Sequence, residues 1–291
     1  MAANTDPEQV TPQKNIDQKT VDSFGDEWSH FDQSSLSGNE HHAIFEQYFA
    51  IFPWADLPAA CEGFDMGCGS GRWAKLVAPK VKKLNCIDPS PEALSVARKN
   101  LAAHDNINFI NAGVGDQPLQ PASQDFGYSL GVLHHIPDTQ LAMHSCVAML
   151  KPGAPFLVYL YYSFDNRPSW FRAIWKVSEV VRRIICKLPD RAKIVVTDIL
   201  AALIYWPLAR LALMMEKIGL KLPDLPLYVY RDKSFYTMRT DSRDRFGTPL
   251  EQRFNRAEIT AMMTNAGLEN IRFSESEPYW CAVGYNTFRT S

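Results

Sequence analysis

The chain has 291 residues and a mass of 32.9 kDa, room for one large domain or two modest ones. Its 46% hydrophobic and 21% charged content is that of a globular protein able to bury a core without disulfides or metals. Thirty basic against 32 acidic residues exclude a global pull toward nucleic acid, and six scattered cysteines without a CxxC pair argue against a disulfide scaffold or a cysteine-pair zinc site.

In chain order, residues 1–20 are polar, carry two prolines and show no apolar periodicity, so a mobile tail is expected. This stretch has neither a basic nor an apolar region of the kind a secretory signal needs. With the unpaired cysteines it leads to the expectation of a reducing, cytoplasmic setting. Residues 21–58 predict two helices. Phe24, Trp28 and Phe31 recur at helical spacing, and Ser37 to Glu40 has capping-box form ahead of Ile44, Phe45, Tyr48 and Phe49.

From residue 59 strands and helices alternate. A strand ends at Asp65 before a glycine-rich turn and a helix near Arg72. Strands are predicted at Lys83 to Asp88, Asn106 to Asn111, Asp125 to Gly131 and Phe156 to Tyr161, with helices capped by Ser90-Pro91 and Asp138. The rhythm implies a Rossmann-like, mostly parallel seven-stranded sheet with helices on both faces. It stops for an α-helical cap and loop over 163–250, inserted after the fifth strand. It resumes over 251–291 with the Asn255–Glu258 capping box, a helix to Ala266, and strands at Ile271 to Ser274 and Trp280 to Tyr285.

The turn Asp65-Met66-Gly67-Cys68-Gly69-Ser70-Gly71 lets a ligand approach the backbone without a Cβ clash, beside the free N–H groups of a helix start. Asp88, 17 residues beyond Gly71 at the end of the second strand, can accept both hydroxyls of a ribose. A nucleoside-containing cofactor follows. A nicotinamide dinucleotide, for an oxidoreductase, wants GxGxxG under its pyrophosphate. Here the spacing is GxGxG, and the nearby Asp65 carboxylate suits a ligand with an amino group and a sulfonium.

Residues Phe64 to Gly71, Cys86 to Ser90, Asn111 to Val114, Ser129 to Asp138 and Leu150 to Ala154 together resemble, in order, the motifs of class I S-adenosylmethionine-dependent methyltransferases of the small-molecule branch. The resemblance covers about 60–160 and 253–290. It implies contacts to S-adenosylmethionine from Asp65, Gly67, Cys68, Gly69, Gly71, Asp88, Pro89, Gly113, Val114 and Gly131. Gly113 stands where the third motif usually has an acidic residue, so backbone atoms of Gly113 and Val114 are expected to flank the adenine, with Asp116 in reserve. No metal is implied.

His134 and His135, after the fourth strand, and Tyr161, after the fifth, are the catalytic candidates, since a histidine there can act as a base. It can equally shape the pocket. Trp28 and Phe31 are read as a lid or as core aromatics. Trp28, Phe31, Tyr162, Tyr236 and Arg239 are the acceptor-binding candidates, the last two within an aromatic and arginine-rich stretch, 228–253, read as a loop that grips the acceptor or is simply solvated.

Within the insertion, Pro168 to Leu188 is an amphipathic helix. Trp170, Ile174, Val177, Val181, Ile184 and Leu188 lie on one side, and Arg172, Lys176, Glu179, Arg183 and Lys187 on the opposite arc. Ile194 to Met215 is nearly all apolar, interrupted by Asp198, Pro207 and Arg210. Residues 163–222 hold 11 basic and 5 acidic side chains, a local +6 that leaves −8 elsewhere. Three readings compete: a transmembrane helix, broken by Pro207 and two charges; a basic amphipathic surface on anionic lipid through 168–215; and a cap that walls a partly hydrophobic acceptor pocket and joins two copies into a homodimer. The expected activity is methyl transfer to a small-molecule acceptor, on oxygen first. Nucleic acid is disfavoured as a partner. A methyltransferase-like scaffold on a membrane surface, without turnover, is the non-enzymatic alternative.

Overall fold

A computed structural model describes residues 15–220, 222 and 224–287. Seven strands, β1 (Glu62–Met66), β2 (Lys83–Asp88), β3 (Ile107–Asn111), β4 (Phe126–Leu130), β5 (Pro155–Tyr159), β6 (Leu268–Phe273) and β7 (Cys281–Asn286), form one sheet in the order β3-β2-β1-β4-β5-β7-β6. Pairing is parallel through β5. β7 runs antiparallel to both β5 and β6. The order reverses beside β1, so the carboxyl ends of β1 and β4 diverge at a switch point where an open α/β sheet takes its ligand.

Helices cover both faces. On one, α2 (Gly38–Tyr48), α3 (Ala74–Val77) and α4 (Pro91–Asn100) bury Ile44, Phe45, Val77 and Leu94 against Leu84, Phe126 and Tyr128. On the other, α5 (Thr139–Ala148) and α10 (Arg256–Asn265) bury Met143, Val147, Ile259 and Met263 against Phe64, Phe156 and Val158. The central strands β1, β4 and β5 are buried along nearly their whole length, as expected of a sheet covered on both sides. Ser90, Asp138 and Asn255 cap α4, α5 and α10 as predicted, and Gly267 stops α10 at φ +89°.

Helix α1 (Gln18–His30) begins earlier than expected. Residues 1–14 of the predicted tail lie outside the described residues. Residues 15–20 are structured: Asn15 exchanges hydrogen bonds with the Asp138 backbone at 2.8 and 2.9 Å, and Asp17 caps α1.

The insertion holds α6 (Ser169–Ile185), α7 (Asp190–Leu200), α8 (Trp206–Lys217) and α9 (Phe235–Gly247). Three expectations are corrected here. First, Pro207 does not break the apolar stretch. α7 and α8 join through a π turn, Ala201–Tyr205, in which the Trp206 N–H reaches back to the Ala201 carbonyl; the bonding ladder is already loosened where the proline cannot donate. The result is one 28-residue helix, Asp190–Lys217, long and apolar enough by length and composition to cross a membrane. Second, the predicted loop contains α9. Ser234 caps it, accepting from the Thr237 N–H, and it buries Thr237, Thr240, Ser242 and Arg243 beside Met238 and Phe246. A helix that buries polar side chains shows no apolar stripe, so periodicity could not reveal it. Third, the apolar stripe of α6 does not pack inward. Arg182 and Ile185 are its buried residues, whereas Trp170, Ile174, Val177 and Ile184 are exposed.

Candidate active site

Between β1 and α3 the chain turns through Gly67 and Gly69, both in the left-handed region at φ +78° and +53°. A Cβ on Gly67 would stand 2.5 Å from the Val132 methyls, and one on Gly69 would stand 2.8 Å from Trp28 Nε1. Only glycine fits either position. The Gly67 and Cys68 N–H groups donate to the Ile87 carbonyl, which presses the turn against the end of β2. Asp88, at that end, accepts from the Gly69 N–H through Oδ2 and the Ser90 N–H through Oδ1, each at 2.9 Å. Burial raises its carboxyl to about 6, against these two bonds, which favour the charged form. Each oxygen keeps a lone pair for a ligand hydroxyl.

A cavity of about 1060 Å³ opens over this turn. Gly67, Cys68, Gly69, Asp88, Pro89, Gly113, Val114, Gly131 and Trp28 line one end, so most of the predicted cofactor residues come together around one space. Their arrangement fits an adenosyl group: a backbone cradle closed to any Cβ, the Asp88 carboxylate hydrogen-bonded at its edge, and the backbone of Gly113. Asp116 serves locally, accepting from the Gly113 N–H at 2.8 Å. Two of the set stand back from the cavity. Gly71 packs on Leu101 and Ala97. Asp65 is buried beneath the turn, and neither of its oxygens has a hydrogen-bond partner. Burial raises its carboxyl to about 8, with the Tyr128 hydroxyl beside it pulling the other way.

The other end of the cavity is assembled from five parts of the chain. Leu133–His135 follows β4 as a single 3-10 turn, Tyr161 and Tyr162 follow β5, and residues 250–254 run alongside both. The Gln252 N–H donates to the His134 carbonyl and the Phe254 N–H to the Tyr161 carbonyl. α9 supplies Asp241 and Asp244, and α1 supplies Thr20, Phe24 and Glu27. The Arg243 guanidinium, buried between α9 and α1, donates to Asp26 at 2.8 Å and fixes the two helices to each other.

His135 and Tyr161 both reach the cavity. His135 Nδ1 lies 2.6 Å from the Leu250 carbonyl oxygen, an acceptor only, so Nδ1 carries the proton and Nε2 presents its lone pair. Burial holds the ring at about 4, so it is neutral near pH 7. Nε2 has no hydrogen-bond partner and stands 3.8 Å from Asp244 Oδ1. The Tyr161 hydroxyl donates to Asp244 Oδ2, fixing that carboxylate. Burial raises Asp244 to about 6 and, with Asp244 nearby, pushes Glu27 well above the usual carboxylate range. Two acceptors, His135 Nε2 and Asp244 Oδ1, thus face each other, with the Thr248 hydroxyl 3.5 Å from the latter.

The remaining candidates fall elsewhere. His134 is buried behind Tyr161, stacked at 3.9 Å between ring centroids, and its burial keeps it neutral outside the cavity. Phe31 packs against Tyr236, whose hydroxyl accepts from the Gln33 N–H, and neither lines the cavity. Arg239 does not line it either. Its guanidinium is engaged with both oxygens of Asp198 at 2.7 and 2.8 Å. Tyr162 does line the cavity, with Phe164, Phe171, Trp175 and Tyr205. Glu27, Asp244 and Arg253 were missed in the sequence. Asp241 and Asp244 at i, i+3 were the signal for α9, hidden by the reading of that stretch as a loop. Among the described residues no cluster of histidine, cysteine and carboxylate side chains is arranged to hold a metal.

Comparison with known proteins agrees with this geometry. Residues 64–158, which span the glycine turn through β5, match a family described as a methyltransferase domain. An O-methyltransferase of ubiquinone biosynthesis from Xanthomonas euvesicatoria is 27% identical over 63% of this chain and 73% of its own length. One of the same name from Xanthomonas campestris is 31% identical over 45% and 54%. A solved O-methyltransferase family protein from Burkholderia thailandensis, 15% identical, shares the fold with a TM-score of 0.52 over 93% of this chain and 60% of that one. The oxidoreductase reading of the turn finds no support in these relatives.

Proposed function

We propose that this chain is a class I S-adenosylmethionine-dependent methyltransferase of the small-molecule branch and that it transfers the methyl group to a hydroxyl oxygen on a ring-bearing, largely apolar acceptor. When bound, S-adenosylmethionine supplies a sulfonium methyl open to in-line displacement. The chain's own task is to place the acceptor and take its proton. His135 Nε2 accepts the acceptor hydroxyl, its tautomer held by the Leu250 carbonyl. As the oxygen is methylated the proton passes to Nε2, and the Asp244 carboxylate beside it stabilises the imidazolium. Tyr161 keeps Asp244 in place.

The gap between His135 Nε2 and Asp244 Oδ1 is the observation that carries this reading: two acceptors there call for a ligand donor, as a hydroxyl is. The aromatic and aliphatic lining beyond it supports a ring with an apolar extension. The relatives' name is consistent with that class, ubiquinone being a ring with a long apolar tail. The test is turnover with methyl-labelled cofactor on a panel of ring hydroxyls with increasing alkyl length, against amine and carboxylate analogues. Methylation on oxygen, with KM falling as the alkyl chain grows, is expected. Transfer to nitrogen or carboxylate alone would overturn the reading.

A further inference from the structure

The cavity and the outward apolar surface of the insertion meet. Ile174 and Val177 of α6 and Ile204 of the long helix line the cavity, yet they are 51%, 66% and 45% exposed. They therefore form its mouth. Around that mouth the same two helices expose Val180, Ile184, Leu203 and Met214, each at least 60% open to solvent. An apolar surface this continuous on a soluble body marks a place of contact.

We propose that this face docks on an anionic lipid bilayer and that the mouth takes its acceptor directly from the membrane; the second half rests on the cavity being the acceptor site. Charge selects this occupant. On α6 the exposed Arg172, Lys176, Arg183 and Lys187 form the arc opposite Trp170, Ile174 and Val181, bordered by the exposed Val180, and Arg191 follows in α7 beyond the exposed Asp190. A basic arc bordering an apolar stripe fits lipid headgroups above acyl chains. A second copy related by a two-fold axis would set basic border against basic border.

The long helix lies along this surface and does not cross the bilayer. Along its length it is tied to the body: Asp198 pairs with Arg239, Arg210 donates to the Arg231 and Lys233 carbonyls, and Glu216 pairs with Arg231. Ala201, Tyr205 and Ala209 are buried on its inner side. Spanning would break each of these contacts.

The test is sedimentation of the full chain with vesicles of phosphatidylglycerol and phosphatidylcholine, and of phosphatidylcholine alone, without cofactor or acceptor. Binding to the anionic vesicles is expected, weakened by salt. The triple variant Arg172→Gln, Lys176→Gln, Lys187→Gln should lower it on the order of 100-fold, at about fivefold per charge. The triple variant Val180→Glu, Ile184→Glu, Leu203→Glu should abolish it while circular dichroism shows the fold retained. Equal binding to neutral vesicles, binding unaffected by the glutamates, or a dimer in light scattering that the glutamates dissolve without any vesicle binding would overturn the proposal. Turnover of a short, water-soluble ring hydroxyl by the glutamate variant separates the two readings, since it tests the catalytic site without the membrane.

Discussion

The sheet domain and the insertion dispose of their apolar side chains in opposite ways. In the sheet domain the central strands and the inner faces of α2, α4, α5 and α10 are almost completely buried in two clusters on either side of the sheet. In the insertion the buried apolar cluster is small, built on Ile185, Tyr205, Ala209, Met238 and Phe246, and much of the apolar surface lies outside. Ion pairs and backbone contacts hold the insertion instead: Arg182 with Glu179, Arg245 with Glu179 and Glu251, Arg210 with two carbonyls. A region that spends polar contacts on its interior and keeps apolar ones for its exterior is adapted to meet something other than water. The first region makes the cofactor end of the cavity, and the second helps to make the acceptor end.

That division can be broken by substitution. The largest effect is expected where both regions meet: His135→Ala should lower kcat by about 10²–10⁴-fold, while affinity for S-adenosylhomocysteine by calorimetry changes little. A parallel loss of affinity would show that the two ends are not separable. Next, Asp88→Ala should weaken S-adenosylhomocysteine binding tenfold or more, since hydrogen bonds to a charged group contribute roughly 1.5–3 kcal/mol. Acceptor KM should then be nearly unchanged at saturating cofactor.

A pH profile sharpens the comparison further. Asp244 is raised by burial to about 6, so its carboxylate, needed beside the imidazolium, is lost as pH falls through that value. The profile of kcat/KM should therefore drop on the acid side near pH 6, and Asp244→Asn should remove that limb along with most of the activity. On the sheet side, burial raises Asp65 from an ordinary carboxyl value of 3.8 to about 8. Its contribution to stability is complete below the unfolded value and is lost progressively until pH passes the folded value. Asp65→Asn should accordingly raise Tm by a few degrees at pH 8.5 and by much less at pH 5. A constant difference would place the cost elsewhere. The smallest effect is expected for Arg239→Ala. It removes a part-exposed pair with Asp198, within about 1 kcal/mol of neutral, and leaves acceptor KM unchanged; a raised KM would restore it to the acceptor site.

How much was legible in the sequence follows the same line. The glycine turn, Asp88, the strand rhythm and the caps at Ser90, Asp138 and Asn255 announce themselves because each is local chemistry with a fixed spacing. The pairing of His135 with Asp244 is not local. The histidine follows β4 and the aspartate sits on a helix 109 positions later, in a stretch without apolar periodicity. The amphipathic pattern of α6 was legible, but not its direction. A helical wheel says which side chains share a face, and only the fold says that Arg182 turns inward while Ile184 turns out.

Helix α1 links the two ends of the cavity, packing Phe24 on His135 and accepting from Leu250 through Thr20. Arg243 fastens α9 to α1 through Asp26, and α1 carries both Trp28, which closes over Gly69, and Glu27, which stands at the acceptor end. Cofactor exchange that lifts α1 must therefore disturb the acceptor end as well. Were binding at one end to shift the affinity of the other through α1, linkage would require the same factor in reverse.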